Sequence, residues 1–227
     1  MIRALALDLD DTLFLEGDFV RSAFRAVDHY LRQRLGEQAD WFAELWRDFQ
    51  TGRRGRTFDR VLDAAGVPAS SDLVAELVRC YREHRPDIRA FADVAAALRD
   101  LGLPRDRVGV ITDGPVVMQQ NKFEALDLSE WVGHVICTDA WGLEYRKPHP
   151  RAFIEFERRT GCPGTQCAYV ADNPAKDFSA PHERLWRTVR IRRPGGLHEA
   201  EPSAPGEVDA EAVNVRSLRG LLMGTEN

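Results

Sequence analysis

The chain has 227 residues, 44% of them hydrophobic, which suits one compact unit with an inserted lobe and excludes disorder as the default state. A formal net charge of -5 gives no electrostatic case for nucleic-acid binding, although it allows a local basic pocket. No apolar run approaches the roughly 20 residues that cross a bilayer, and the first residues enter a strand pattern with no signal-peptide layout; no membrane association and a cytoplasmic location are expected.

In chain order, the first predicted element is an apolar strand over Ile2–Asp8, which runs directly into the acidic residues Asp8, Asp10 and Asp11. From Glu16 to about Arg85 the pattern turns helical. Phe19, Ala23, Ala26, Val27, Tyr30 and Leu31 share one helix face, and Trp41, Leu45, Trp46 and Phe49 another. Phe58, Val61 and Leu62 begin a third helix, and Leu73, Leu77 and Tyr81 mark a fourth. Beyond it, strands are predicted at Val108–Thr112, His134–Thr138, Ala168–Asp172 and Thr188–Arg192, with a weak last one at Ala212–Val215. Helices are predicted between them at Phe91–Leu101, Val116–Leu126, Ala152–Thr160 and Pro174–Leu185. Alternating strands and helices imply an α/β fold with a mainly parallel, doubly wound sheet. The expected organisation is a core of residues 1–15 and 87–227 carrying an inserted helical cap at residues 16–86. The segment Pro194–Gly206, rich in Pro, Gly and Glu, reads as an exposed late loop without a function.

Several strand ends carry chemistry. Carboxylates at the C-terminal end of a buried strand repel one another unless a cation compensates them, and strand ends of this kind bind ligands in open α/β sheets. Taken alone, the segment also admits a plainer reading as an acidic turn, Asp8 and Asp10 included, that caps the following helix. Thr112, Asp113 and Gly114 end the second strand with a hydroxyl and a turn, common turn chemistry by itself. Lys147 stands just before a proline-rich helix start, where an isolated lysine is ordinarily a solvated surface residue. Asp172 and Asp177 follow another strand, and either alone could be a helix cap.

As an ordered set, these residues resemble the four motifs of the haloacid dehalogenase-like hydrolase superfamily: an Asp-x-Asp strand end, a Thr or Ser strand end, a lysine, and an acidic loop. The resemblance runs from Met1 to about the last strand, and the helical insert looks like the cap of the phosphatase-rich branch on a Rossmann-like core. One departure is Ala171, where a Gly commonly precedes the acidic loop. The resemblance implies Asp8 as nucleophile, forming an aspartyl-phosphate, and Asp10 as general acid and base. It also implies Mg2+ held by Asp8, the backbone carbonyl of Asp10 and Asp172, with Asp177 behind them orienting Lys147 or a water of the ion. Thr112 and the backbone N–H groups of Asp113 and Gly114 would donate to the phosphate, and Lys147 would supply positive charge.

In the insert, Arg53, Arg54 and Arg56 form a basic cluster that could contact a second anionic group; a solvated loop is the simpler reading. Arg21, Arg25, Trp41 and Trp46 are further candidates for cap contacts, the two Trp residues fitting core packing better. Cys80, Cys137, Cys162 and Cys167 lack metal-ligand spacing and read as reduced cytosolic thiols.

The expected function is a Mg2+-dependent phosphatase acting on a small-molecule phosphate ester, such as a sugar phosphate or nucleotide monophosphate. The alternatives are a metal-independent haloacid dehalogenase, a phosphomutase, and a non-catalytic protein that binds a phosphorylated ligand. The sequence does not fix the oligomeric state.

Overall fold

The computed structural model describes residues 1–37, 39–53, 55–203 and 205–223. The chain divides into two compact units, one formed by residues 1–16 and 89 onward, the other by residues 17–88.

The first unit is built on a parallel sheet of β1 (Ala4–Leu7), β2 (Val108–Thr112), β3 (His134–Cys137), β4 (Cys167–Ala171), β5 (Arg187–Ile191) and β6 (Ala210–Ala212), in the order β3-β2-β1-β4-β5-β6. β1, β2 and β4 are buried at every residue, which is why they read as continuous apolar runs. Helices α5 (Val94–Leu101), α6 (Val116–Ala125), α7 (Arg151–Thr160) and α8 (Ser179–Glu183) connect the strands, and α9 (Leu218–Met223) follows the last one. Strand alternation puts Ala4 and Ala6 of β1 and Tyr169 and Ala171 of β4 into one apolar cluster with Phe153 and Phe156 of α7. At Gly109 α7 packs tightly on the sheet, because a Cβ there would lie 2.6 Å from the ring of Phe156. The chain lays β2 and β3 on one side of β1 and β4 on the other, which makes the C-terminal ends of β1, β2 and β4 the topological switch point.

Some boundaries differ from the sequence reading. The helix expected over Pro174–Leu185 is only α8, because the buried carboxylate of Asp177 accepts from the Asn173 backbone N–H (3.0 Å) and folds the preceding residues into a turn. Helix α5 starts at Val94, after Phe91, whose N–H donates to Leu13 O (2.9 Å). The last strand starts two residues before the predicted one and overlaps it only at Ala212, and α9 was not predicted.

The second unit contains α1 (Glu16–Leu35, whose first residue belongs to the first unit), α2 (Trp41–Gln50), α3 (Thr57–Ala64) and α4 (Ser71–Glu83). Asp40 and Ser70 cap α2 and α4, accepting from Ala43 N and Leu73 N. Its core comprises Phe24, Val27, Leu31, Trp41, Leu45, Leu62 and Leu77 among others, with Trp46 packed against it. Both Trp residues are therefore packing residues, and Arg21 lies 4.6 Å from the Trp46 ring centroid. No helix of the described residues is long and apolar enough to cross a membrane.

Candidate active site

The three central strands deliver the acidic and hydroxyl side chains. Asp8 continues the β1–β4 pairing one residue past β1, its N–H donating to Val170 O at 2.8 Å. Thr112 is the last residue of β2, and Asp172 follows the last residue of β4. Lys147 enters from the connection between β3 and α7 and is buried.

The Lys147 ammonium sits between two carboxylates, 2.7 Å from Asp8 Oδ1 and 2.7 Å from Asp177 Oδ1, and also donates to the Tyr169 hydroxyl at 3.0 Å. Burial alone would depress the lysine pKa, but Asp177 and Asp8 outweigh it and hold the amine well above its ordinary value, so it stays charged. Carboxylate oxygens of Asp8, Asp172 and Asp177 lie within 4.8 Å of one another. Burial, opposed by Lys147 and aided by the Asp177 charge, raises Asp8 to about 6. Burial together with the charges of Asp8 and Asp177 raises Asp172 to about 9. Such a buried, oxygen-only donor set, short of positive charge, fits a hard divalent cation such as Mg2+.

On the β2 side, Asp113 accepts from Lys176 Nζ (2.8 Å), Thr138 Oγ1 (2.8 Å) and Lys147 N (3.1 Å). Burial pushes its carboxyl upward, but Lys147 and Lys176 prevail and keep it below the usual range. Gly114 has φ +131°, and a Cβ there would crowd Gln119 at 3.3 Å. Its N–H donates to Asp139 Oδ1 at 3.2 Å, and Asp139 is held by two 2.6 Å bonds from Arg146. Without a ligand the Gly114 N–H, expected as a donor to phosphate, is thus directed at Asp139.

Asp10 turns away from the other carboxylates. Its oxygens accept from Lys122 Nζ at 2.7 and 3.0 Å and from Gln119 Nε2 at 3.3 Å, and the same Nε2 donates to Thr112 Oγ1. Asn173 orders the acidic loop, with its Oδ1 accepting from Ala175 N (2.9 Å) and its Nδ2 lying 2.9 Å from His198 Nε2. Asp8, Asp10, Thr112, Asp113, Gly114, Lys122, Asp172, Lys176 and His198 line one pocket of about 240 Å³.

Gln119, Lys122, Lys176 and His198 were missed by sequence reasoning. The segment 194–206, read as an exposed loop without a function, supplies His198 to the lining of this pocket. Gln119 and Lys122 carried no periodic signal, because α6 also offers Val116, Val117, Met118 and Phe123 as residues to bury. In the second unit, Arg53 contacts Thr51 Oγ1 (3.2 Å) and Asp48 (3.8 Å), and Arg56 pairs with Asp59 (3.2 Å); both are exposed. Arg54 lies outside the described residues.

A profile of haloacid dehalogenase-like hydrolases matches residues 2–182. The glyceraldehyde 3-phosphate phosphatase of Methanopyrus kandleri is 31% identical over 96% of this chain and 96% of its own length. The phosphoserine phosphatase of Thermus thermophilus is 27% identical over 89% of this chain and 93% of its own. Among solved structures, the 2-haloacid dehalogenase of Pseudomonas syringae pv. Tomato DC3000 matches with a TM-score of 0.67 at 23% identity, covering 98% of this chain and 99% of that one, a likeness of fold.

Proposed function

This chain belongs to the haloacid dehalogenase-like hydrolase family, and we propose that within it the chain is a Mg2+-dependent phosphatase hydrolysing a small phosphorylated metabolite through an aspartyl-phosphate at Asp8. The observation that carries the reading is the buried group of Asp8, Asp172 and Asp177, with the Lys147 ammonium between Asp8 and Asp177. Three carboxylates so close call for a cation, and a metal-independent dehalogenase has no use for that excess of negative charge. The fold does not choose between these activities, since it is shared with a dehalogenase.

Asp8, Asp172 and the Asp10 backbone carbonyl would hold Mg2+, which when bound neutralises the carboxylates and the charge of the transferring phosphoryl group. Lys147 holds Asp8 Oδ1, leaving Oδ2 to attack phosphorus. As that bond forms the ester P–O bond breaks, and Asp10, as the acid, gives its proton to the departing alcohol oxygen. Asp10, now a carboxylate, takes a proton from water as the water oxygen attacks phosphorus, and the bond from phosphorus to Asp8 breaks. Thr112 donates to a phosphoryl oxygen through both displacements, and Asp177 keeps Lys147 in place.

The two phosphatases named above act, by their names, on three-carbon phosphate monoesters, and the pocket of about 240 Å³ suits a phosphate on a short chain. We therefore favour a short sugar phosphate or hydroxy-acid phosphate over a nucleotide monophosphate. Four free cysteines suit a cytoplasmic setting. The test is phosphate release from a panel of glyceraldehyde 3-phosphate, phosphoserine, glucose 6-phosphate and AMP with Mg2+ or EDTA, alongside halide release from 2-chloropropionate. Metal-dependent phosphate release is expected. Halide release that survives EDTA, without phosphate release, would establish the dehalogenase instead.

A further inference from the structure

Helix α6 buries polar groups where a helix packed on a sheet ordinarily buries apolar ones. Gln119 and Lys122 are its buried residues, at 0% and 3% exposure, whereas Val117 is 51% exposed. Desolvating an ammonium and an amide is costly unless both are matched by partners, and here both are aimed at Asp10. Lys122 Nζ grips the two Asp10 oxygens at 2.7 and 3.0 Å.

The orientation of the Gln119 amide follows from its neighbours. Flipped, its Oε1 would face the Asp10 carboxylate, acceptor against acceptor, so Nε2 must be the atom near Asp10 and Thr112. Thr112 Oγ1 thus accepts from Gln119 and keeps its own proton for another acceptor. Gln119 Oε1 is buried without a partner among the described residues, an arrangement that costs stability. Local rules broken in this way are characteristic of functional positions.

We propose that Lys122 and Gln119 are positioning residues for the reaction. Lys122 holds the Asp10 carboxyl on the leaving-group side and away from the group formed by Asp8, Asp172 and Asp177, and Gln119 ties Asp10 to Thr112 so that the Thr112 hydroxyl is presented to phosphate as a donor. This rests on the assignment of Asp10 as the acid and base.

The experiment measures single-turnover release of the alcohol from 4-nitrophenyl phosphate and from whichever alkyl ester of the panel above is hydrolysed fastest. The proteins are wild type, Lys122→Met, Asp10→Asn, the double variant and Gln119→Leu, with circular dichroism as the folding control and Lys122→Gln replacing Lys122→Met if the latter does not fold. Lys122→Met is expected to slow the alkyl ester about 100-fold with little change in KM. It should slow 4-nitrophenyl phosphate far less, because that leaving group needs no proton, and it should add less than about twofold to the loss in Asp10→Asn. Gln119→Leu should weaken inhibition by inorganic phosphate about tenfold. Equal losses on both esters, or a full additional loss in the double variant, would overturn the Lys122 role while the assignment of Asp10 stands. Unchanged phosphate inhibition would overturn the Gln119 role. Wild-type rates in Asp10→Asn would instead overturn the assignment of Asp10, and the proposal with it.

Discussion

The two units of the chain spend buried surface differently. In the helical unit the interior is largely apolar: Val27, Trp41, Leu45, Leu62 and Leu77 are completely buried, and at its margin the buried Asp48 pairs with the half-buried Arg60. In the sheet unit, Asp8, Lys122, Lys147, Asp172 and Asp177 are all buried, clustered just past the ends of three strands. A fold tolerates that concentration of buried charge only where the charges are matched to one another or to a ligand. The comparison separates residues that hold the chain together from residues whose burial we propose serves chemistry, and substitutions in the two groups should behave oppositely.

The largest contrast should come from Asp8→Asn. Turnover is expected to fall by at least about 10⁴-fold, while thermal stability without metal stays level or rises, because a buried charge beside Asp172 has been removed. Steady-state kinetics and a melting curve on one preparation check both halves, with mass measurement to exclude deamidation back to Asp. A marked loss of stability would place Asp8 with the packing residues.

Next in size is the metal effect. EDTA should abolish activity, and Asp172→Ala should raise the Mg2+ concentration needed for half-maximal rate at least about tenfold. The pH dependence has a definite sign. Unfolded Asp172 releases its proton near the ordinary value of 3.8, whereas the folded metal-free protein keeps it up to about pH 9. Across that window the folded state binds more protons, so the stability of metal-free protein falls as pH rises. Saturating Mg2+ should flatten the slope between pH 5 and 9, and Asp172→Asn should flatten it without metal. Urea midpoints at pH 5, 7 and 9 read it directly, and equal slopes with and without Mg2+ would contradict the assignment of Asp172.

The same contrast explains what the sequence could and could not disclose. The strands of the sheet were legible because parallel strands buried on both faces leave continuous apolar runs, as in Cys167–Ala171. Asp8, Thr112 and Asp172 stood out as polar residues ending or following such runs, and Lys147 by its place before a proline-rich helix start in the same ordered set. Gln119 and Lys122 did not, because polar residues on a helix read as its solvent face until its neighbours are known. Lys176 and His198 sit in irregular loops that carry no periodic signal. The bond from the Gly114 N–H to Asp139 was not legible because the two residues lie 25 apart in sequence. Helix α9, at six residues, is too short for periodicity to reveal.

A packing residue gives the converse case. Leu62→Ala, in the fully apolar interior of the helical unit, should cost about 2–5 kcal/mol of stability while leaving the Mg2+ requirement unchanged. Denaturant melts and a metal titration on that variant test it, and an altered metal requirement would break the separation of the two groups. The smallest effects are expected at Arg53, Arg54 and Arg56. Single Ala substitutions should leave stability within about 0.5 kcal/mol. At any arginine that selects substrate, relative kcat/KM across the ester panel should shift about tenfold, or about 1.4 kcal/mol. Uniform kinetics for all three variants would make the cluster a solvated loop.

The central claim is that Asp8 becomes covalently phosphorylated, and the most direct measurement is chemical trapping. Enzyme quenched during turnover of its fastest ester in Mg2+ and reduced with borohydride should carry homoserine in place of Asp8 in the peptide mass map, and only when both substrate and Mg2+ are present. Homoserine at any other carboxylate, or its absence under a quench that captures turnover, would contradict the account.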